Sequence, residues 1–580
     1  MAHIQDNMVV EFDVPIEMDD GAVLCADVFR PIGDGRYPVL IAHGPYGKGL
    51  AFYDGHFKPI WEMMTAAHPE TAQRSSNKYQ VWEMPDPERW TGHGYVVIRV
   101  DSRGSGRSPG VIDLFSPRET QDYKTCIEWA GVQDWSNGKV GTSGISYYGI
   151  NQWLVAATQP KHLEAMFIFE GAADMYRDIS RHGGILTTFW DFLIRHQILS
   201  VQNGVGIRGY KSAVTGDLVS GPATMTPEML TSNYRNTYAE QLNREMEDTY
   251  YTSRSPDWSK VKVPFLSAGS WGGQALHLRG NTEAFVNAAS EEKYLEMHGL
   301  EHWTHYYTDY GFNLQKAFFD KYLKDEPEGF EGSPRVRLQV RHANNRFVER
   351  GESAWPLAGT QWTHMHLDAK GQTLSTDAPV DEASVTYAPM GDGVTFLTEP
   401  MAEDTEITGP MAARLVVSSQ SDDADLFLVA RVFGPDMKEQ VFIGSQDPFC
   451  PVTLGWLRAS HRKLDAAKSE PWRPYHAHDE LQKLTPGEKV TLDIEIWPTS
   501  IVVQKGCRIG LSVRGRDYVA PAARPTPIYQ QGRPDPNGVG AMFHTDGRDR
   551  PAETFAAPVT IHTGGDHENW VMLPIIPADR

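Results

Sequence analysis

Residues 139–149 read Lys-Val-Gly-Thr-Ser-Gly-Ile-Ser-Tyr-Tyr-Gly, a strand end that runs into a glycine-flanked serine turn. Residues 152–158 have the spacing of a helix beyond it. Upstream, Pro38-Val39-Leu40-Ile41-Ala42 and Tyr95-Val96-Val97-Ile98-Arg99-Val100 are short apolar runs, as strands buried on both faces should be. Helical spacing fills 119–131 between the second run and the serine turn. Strand, helix, strand, glycine-rich turn and helix in this order specify a parallel α/β sheet.

The alternation resumes at Ala165-Met166-Phe167-Ile168-Phe169, at Pro264-Phe265-Leu266-Ser267 and at Tyr294-Leu295-Glu296-Met297-His298. Between the first two lies a mainly helical, aromatic-rich stretch, too long for an ordinary connection, which reads as a cap inserted into the sheet. From Pro334 the texture changes. Val336-Arg337-Leu338-Gln339-Val340, Ala413-Arg414-Leu415-Val416-Val417, Leu426-Phe427-Leu428-Val429-Ala430 and Val490-Thr491-Leu492-Asp493-Ile494-Glu495-Ile496 alternate or run apolar between Pro, Gly and Asp. That is the pattern of an all-β sandwich. The expected division is an α/β domain over 1–175 and 259–330, a helical cap over 176–258, and an all-β domain over 334–580.

A net charge of −21 argues against a nucleic acid or an anionic membrane as partner, since both require a basic footprint. No apolar run reaches the length of a membrane span. The first ten residues lack the build of a secretion signal, and Cys25, Cys126, Cys450 and Cys507 have no metal-type spacing, so the cytoplasm is the expected location. Whether the chain forms a homo-oligomer stays open.

The chemistry begins at Ser146. A serine on a sharp strand-to-helix turn is presented above the sheet, and the N–H of its neighbour Tyr147 points at an oxyanion from the helix start. The pattern is Gly-x-Ser-x-x-Gly, with Tyr148 where the strict pattern has its second glycine. Ser143 has the same spacing to Gly141 but lies nearer the strand and is expected to pack inside. A serine nucleophile needs a base. Chain order in α/β-hydrolases places it beyond the last parallel strand, where His298, His302 and His305 follow one another. A metal reading of these three requires one continuous helix, which Gly299 speaks against.

These residues resemble the serine hydrolases that include cocaine esterase and the X-prolyl dipeptidyl peptidases, the CocE/NonD-like family. Gly44-Pro45-Tyr46-Gly47-Lys48 is similar to its oxyanion loop, and Asp101-Ser102-Arg103-Gly104-Ser105-Gly106-Arg107-Ser108 to its DxRGxGxS run. Gly144-Ile145-Ser146-Tyr147-Tyr148-Gly149 is close to its GxSYxG turn, and Trp303-Thr304-His305 sits where it keeps a WxH histidine. Thr405-Glu406-Ile407-Thr408-Gly409-Pro410 and Leu457-Arg458-Ala459-Ser460-His461-Arg462 resemble its jelly-roll domain. The resemblance implies an α/β-hydrolase fold with a helical cap insertion, followed by a C-terminal jelly-roll domain. It implies Ser146 as nucleophile, His305 as base, and the Tyr46 hydroxyl with the Tyr147 N–H as oxyanion hole. His302 is then a structural neighbour.

The acid departs from the family pattern. The family's aspartate lies in a Trp-Tyr-Asp-Gly turn after the 264–267 strand; here the turn reads Gly269-Ser270-Trp271-Gly272-Gly273-Gln274, with Gly273 at the acid's place. Glu170, directly after the preceding strand, is the first candidate for a relocated acid and Glu301 the second. Asp309 and Asp174 follow. The expected reaction is hydrolysis of a small-molecule carboxylic ester or amide through an acyl-enzyme, needing neither metal nor organic cofactor. Trp190, Phe189, Phe192 and Tyr176 of the cap are candidates to shape the pocket, Trp190 and Phe189 foremost. An X-prolyl or aminoacyl peptidase, or an α-amino-acid ester hydrolase, is the alternative; it needs a carboxylate such as Asp174, Asp178 or Asp191 for the substrate ammonium. From another class, a degenerate hydrolase retained as a binding protein is the remaining alternative.

Overall fold

The computed structural model describes residues 2–447, 449–520, 538–539 and 542–578. Its first part is built on nine strands: β1 (Met8–Glu17), β2 (Val23–Arg30), β3 (Tyr37–Gly44), β4 (Val96–Asp101), β5 (Ser136–Ile145), β6 (Leu163–Phe169), β7 (Phe265–Ser270), β8 (Lys293–His298) and β9 (Val336–His342). They pair in the order β1-β2-β4-β3-β5-β6-β7-β8-β9, antiparallel up to β4 and parallel from there on. The apolar runs expected as strands of the α/β part fall on these to within one residue.

Alternation along the strands divides the core. Leu40, Val97 and Phe167 enter one apolar cluster, with Phe318 and Phe319. Their neighbours Val39, Ile41, Ile98 and Ile168 enter another, with Cys126, Ile127 and Trp153. A side-chain period of two puts successive residues on opposite faces, so each parallel strand is apolar throughout.

Helix α1 (Pro117–Gly131) starts with proline in its first turn and a Ser116 side chain that accepts the Glu119 N–H at 3.2 Å. Helix α2 (Tyr147–Ala157) follows β5 directly, and α3 (Leu278–Asn287) and α4 (Asp309–Phe319) follow the turns after β7 and β8. Between β6 and β7 lie only short helical turns and a two-stranded ribbon, Arg181–His182 with Ile185–Leu186. Buried ion pairs anchor this segment: Arg177 to Asp174 and Glu247, Arg279 to Asp178, and Arg181 to Asp549.

Beyond β9 the chain is strand-rich. Thr405–Ser419 pairs antiparallel with Val490–Val503, with a shift at Gly409/Met411. Asp425–Phe433 lies between Thr453–Arg458 and Arg508–Arg514. One strand differs from the sequence expectation. Val336–His342, read there as part of the all-β domain, pairs in parallel with β8 from Leu295↔Val336 to Met297↔Leu338, and its Arg341 also meets Ile501. An apolar alternating strand carries no mark of the sheet it will join; the open edge of β8 decides. No helix among the described residues is long and apolar enough to cross a membrane.

Candidate active site

β5 continues past Val140 to Ile145, so Ser143 is a strand residue, buried, with its Oγ 2.8 Å from the Tyr306 hydroxyl. Ser146 comes next, at φ 58° and ψ −114°. A non-glycine residue held there costs of order 1–3 kcal/mol, and such strain concentrates at functional sites. The surroundings impose it. The Ser146 N–H donates to Phe169 O at 2.9 Å and the Ile145 N–H to Glu83 O at 3.0 Å. A Cβ on Gly149 would stand 2.7 Å from Phe169 O, so glycine is required there, one residue later than in the strict pattern. Tyr148 is fully buried and packs edge-on against Tyr46.

Ser146 Oγ lies 3.4 Å from Nε2 of His277, a residue the sequence reading passed over. His277 immediately precedes α3, just beyond the turn after β7, and its N–H donates to Gly273 O at 3.0 Å. His305 is elsewhere. It sits in the short helix Thr304–Tyr307 with Nε2 3.1 Å from Gln339 Oε1 on β9, and it makes no hydrogen bond to Ser146. The structure thus places His305, the expected base, beside His298, Tyr310 and Gln339, with no hydrogen bond to Ser146. The only sequence signal for His277 was its position, a histidine between two leucines just past the glycine-rich turn.

Glu170 directly follows β6, at φ 52°, and is fully buried. Its Oε1 accepts the Ser270 N–H at 2.6 Å and lies 3.4 Å from His298 Nε2; its Oε2 lies 3.6 Å from His302 Nδ1. Glu170, His277 and His302 each place one polar side-chain atom within 4.8 Å of the others. A Cβ on Gly273 would stand 3.0 Å from Glu170 Oε2. The Glu170 carboxylate thus occupies the space beside the position where the resemblance leads one to look for an aspartate. The other acid candidates point elsewhere. Glu301 accepts from Thr304 Oγ1 at 3.0 Å, Asp309 pairs with Arg74 and Arg89, and Asp174 pairs with Arg177.

His302 stacks on His277 with ring centroids 4.9 Å apart and reaches Glu83 Oε1 with Nε2 at 2.9 Å. Burial alone would discharge His298 and His302, but the carboxylates on both sides of each, Glu296 with Glu170 and Glu170 with Glu83, push them up to about 9. Burial likewise works to raise the Glu170 carboxyl; the imidazoles of His298 and His302, 3.4 and 3.6 Å from its oxygens, outweigh it and hold the group well below the usual carboxylate range. His277 is pushed down to about 3 by burial, so its imidazole is neutral and able to accept a proton.

Tyr46 follows β3 in a loop tied down by Asp101. That carboxylate accepts the Lys48 N–H at 2.6 Å and the Arg107 N–H at 2.8 Å, while Lys48 Nζ is clamped by Asp13 and Asp27. The Tyr46 ring packs against Tyr147 at 5.8 Å. Tyr147 opens α2, where the first N–H groups have no acceptor within the helix, and its hydroxyl donates to Glu119 at 2.6 Å. Trp190 and Phe189 are buried behind this group: Phe115 stacks on Tyr147 and meets Trp190, which meets Phe189. Neither lines the small cavity of about 20 Å³ beside His277. Gly272, Gln274, Leu276, Ser445, Cys450 and Met542 do.

A serine on a strained strand-to-helix turn, with a neutral histidine in reach, over a sheet of this order, defines a serine hydrolase. The family model of the X-Pro dipeptidyl-peptidases (S15 family) matches residues 20–307, and that of the X-Pro dipeptidyl-peptidase C-terminal non-catalytic domain matches 328–571. A CocE/NonD family hydrolase from Staphylococcus aureus superposes with a TM-score of 0.83 at 32% identity, over 98% of this chain and 94% of that one. Cocaine esterase of Rhodococcus sp. (strain MB1 Bresler) is 24% identical over 99% of this chain and 100% of its own length. An α-amino acid ester hydrolase shares the fold, with a TM-score of 0.68 at 16% identity over 99% of this chain and 98% of that one. The chain belongs to the CocE/NonD hydrolase family: an enzyme with a hydrolase fold and a C-terminal non-catalytic domain.

Proposed function

We propose that this serine hydrolase cleaves uncharged carboxylic esters or amides with Ser146 as nucleophile, His277 as base and Glu170 as acid. Ser146 Oγ attacks the substrate carbonyl carbon while its proton passes to His277 Nε2. Negative charge on the carbonyl oxygen is met by the Tyr46 hydroxyl and the Tyr147 N–H. His277 returns the proton to the leaving alcohol or amine, and the acyl group stays on Ser146. Water then attacks that acyl carbon, giving its proton to His277, and the carboxylic acid leaves with Ser146 restored. Glu170, with a carboxylate oxygen within 4.8 Å of a ring nitrogen, offsets the transient charge of the imidazole.

The carrying observation is the 3.4 Å approach of His277 Nε2 to a serine held at positive φ. Substrate neutrality is supported by the cap carboxylates. Asp174, Asp178 and Asp191 are each paired with an arginine, Arg177, Arg279 and Arg195, which leaves none of the three for a substrate ammonium. The relative named cocaine esterase supports esters first. The division into an α/β unit, a cap and a jelly-roll unit belongs to the same reading, supported by the short helical turns between β6 and β7 and the antiparallel pairings after residue 360.

The test is intact mass after a fluorophosphonate probe on wild type, Ser146→Ala and His277→Ala, with a chelator control. A single adduct that needs both residues and ignores the chelator is expected. Absence of an adduct on folded wild-type protein would overturn the reading in favour of binding without turnover. An ester panel with and without an α-ammonium on the acyl side tests the substrate class; preference for the charged members would return the peptidase reading.

A further inference from the structure

Four buried polar atoms around Glu170 make no close hydrogen bond: Glu170 Oε2, His277 Nδ1, His302 Nδ1 and His298 Nε2; Glu170 meets His302 and His298 only at ion-pair distances of 3.6 and 3.4 Å. In each group the other polar atom is held. Ser270 N–H sits on Glu170 Oε1 at 2.6 Å, Ser146 Oγ lies 3.4 Å from His277 Nε2, and Glu83 Oε1 lies 2.9 Å from His302 Nε2. One polar atom from each of Glu170, His277 and His302 lies within 4.8 Å of the others. Two ligands on one tetrahedral zinc ion, each bound at about 2.0–2.1 Å, lie about 3.4 Å apart.

We infer that Glu170, His277 and His302 form a site for a divalent transition-metal ion of the zinc type, and that filling it switches the hydrolase off. The site itself stands on geometry; the switch rests on the assignment of His277 as base. Two imidazoles and a carboxylate are donors for zinc, copper or nickel rather than for magnesium or calcium. Glu83 on the far nitrogen of His302 completes a carboxylate–histidine–metal arrangement, in which the ion takes the place of the proton that Nδ1 holds toward Glu170. The cavity beside His277 gives a small ion room to approach. An ion on His277 Nδ1 stands where Glu170 would offset the imidazolium charge, and its own positive charge opposes protonation of Nε2. Chelation would then raise activity in protein that carries the ion, the reverse of what a metal-dependent hydrolase shows.

The experiment uses the full chain and zinc alone as probe. Equilibrium dialysis of wild type and of Ser146→Ala is expected to show one zinc ion per chain in both, since Ser146 is not a ligand. His302→Gln is expected to weaken binding at least about 100-fold, and Glu83→Gln about 10–100-fold as an outer partner. His305→Gln is expected to leave binding unchanged. Circular dichroism on each variant identifies any that fails to fold, and the Glu83 variant then carries the test. Zinc retained in folded His302→Gln would place it on surface histidines and overturn the site. Zinc is also expected to slow fluorophosphonate labelling of Ser146 at least tenfold, reversed by chelator. Binding without that effect would overturn the switch; failure of labelling in metal-free protein would instead count against the hydrolytic assignment, with dialysis still reporting the site.

Discussion

The turn after β7 and the loop after β8 leave neighbouring parallel strands at the same edge of the sheet, and both send histidines to Glu170. The turn holds one histidine, His277, backed by α3. The loop holds His298 at its strand end, then His302 and His305. Density of histidines in the sequence is greatest in the loop, yet the one that reaches Ser146 comes from the turn. The loop histidines are occupied with carboxylates or an amide: His298 with Glu296, His302 with Glu83, His305 with Gln339. Burial leaves both His277 and His305 neutral; of the two, His277 is the one with a nitrogen toward the serine, which suits it to the work.

Replacing the two histidines breaks this comparison most directly. His277→Ala is expected to lower kcat on a nitrophenyl ester by on the order of 10⁵ or more, and His305→Ala by less than about tenfold. Equal losses would return the base to His305. Next comes the acid. Glu170→Gln is expected to cost on the order of 10⁴ in kcat, while Glu301→Gln, whose side chain keeps 23% of its exposure, changes neither kcat nor melting temperature measurably.

A smaller effect sharpens the relation between Glu170 and Gly273. In Glu170→Ala, adding Gly273→Asp brings a carboxylate back into the same space and is expected to recover at least about tenfold in kcat. No recovery in a folded double variant would show that the position of the carboxylate, and not its presence, is decisive. The subtlest readout is pH. Burial lowers His277, so the proton-accepting form persists as pH falls, and the acid limb of kcat/KM is expected below pH 5 instead of near the ordinary histidine value. A limb near 6.5 would mean that His277 is solvated or is not the base.

Much of this was legible beforehand. The apolar runs marked β3 to β8 because they are short, carry β-branched or aromatic residues and are spaced by helical stretches, and the Gly-Ser turn marked Ser146 because few other structures need glycines at those offsets. Glu170 stood out from its place after β6 once Gly273 was seen to lack a carboxylate. His277 was not legible. Its approach to Ser146 depends on how a turn closes over the sheet, whereas the sequence offered three later histidines and a chain order that favoured them. Trp190 and Phe189, the expected pocket aromatics, lie buried, Trp190 against Phe115 and Phe189 against Trp190; large aromatics announce burial without saying whether protein or ligand covers them.

Strand β9 carries one more consequence. It closes the open edge of β8, hands Gln339 to both His305 and Trp271, and runs on into the strand-rich part. A chain cut before residue 334 would therefore end in a naked parallel edge, Lys293–His298, free to recruit a strand from a neighbouring molecule. The two parts are better regarded as a single melting unit, in which the C-terminal half acts as a stopper against self-association of the catalytic half.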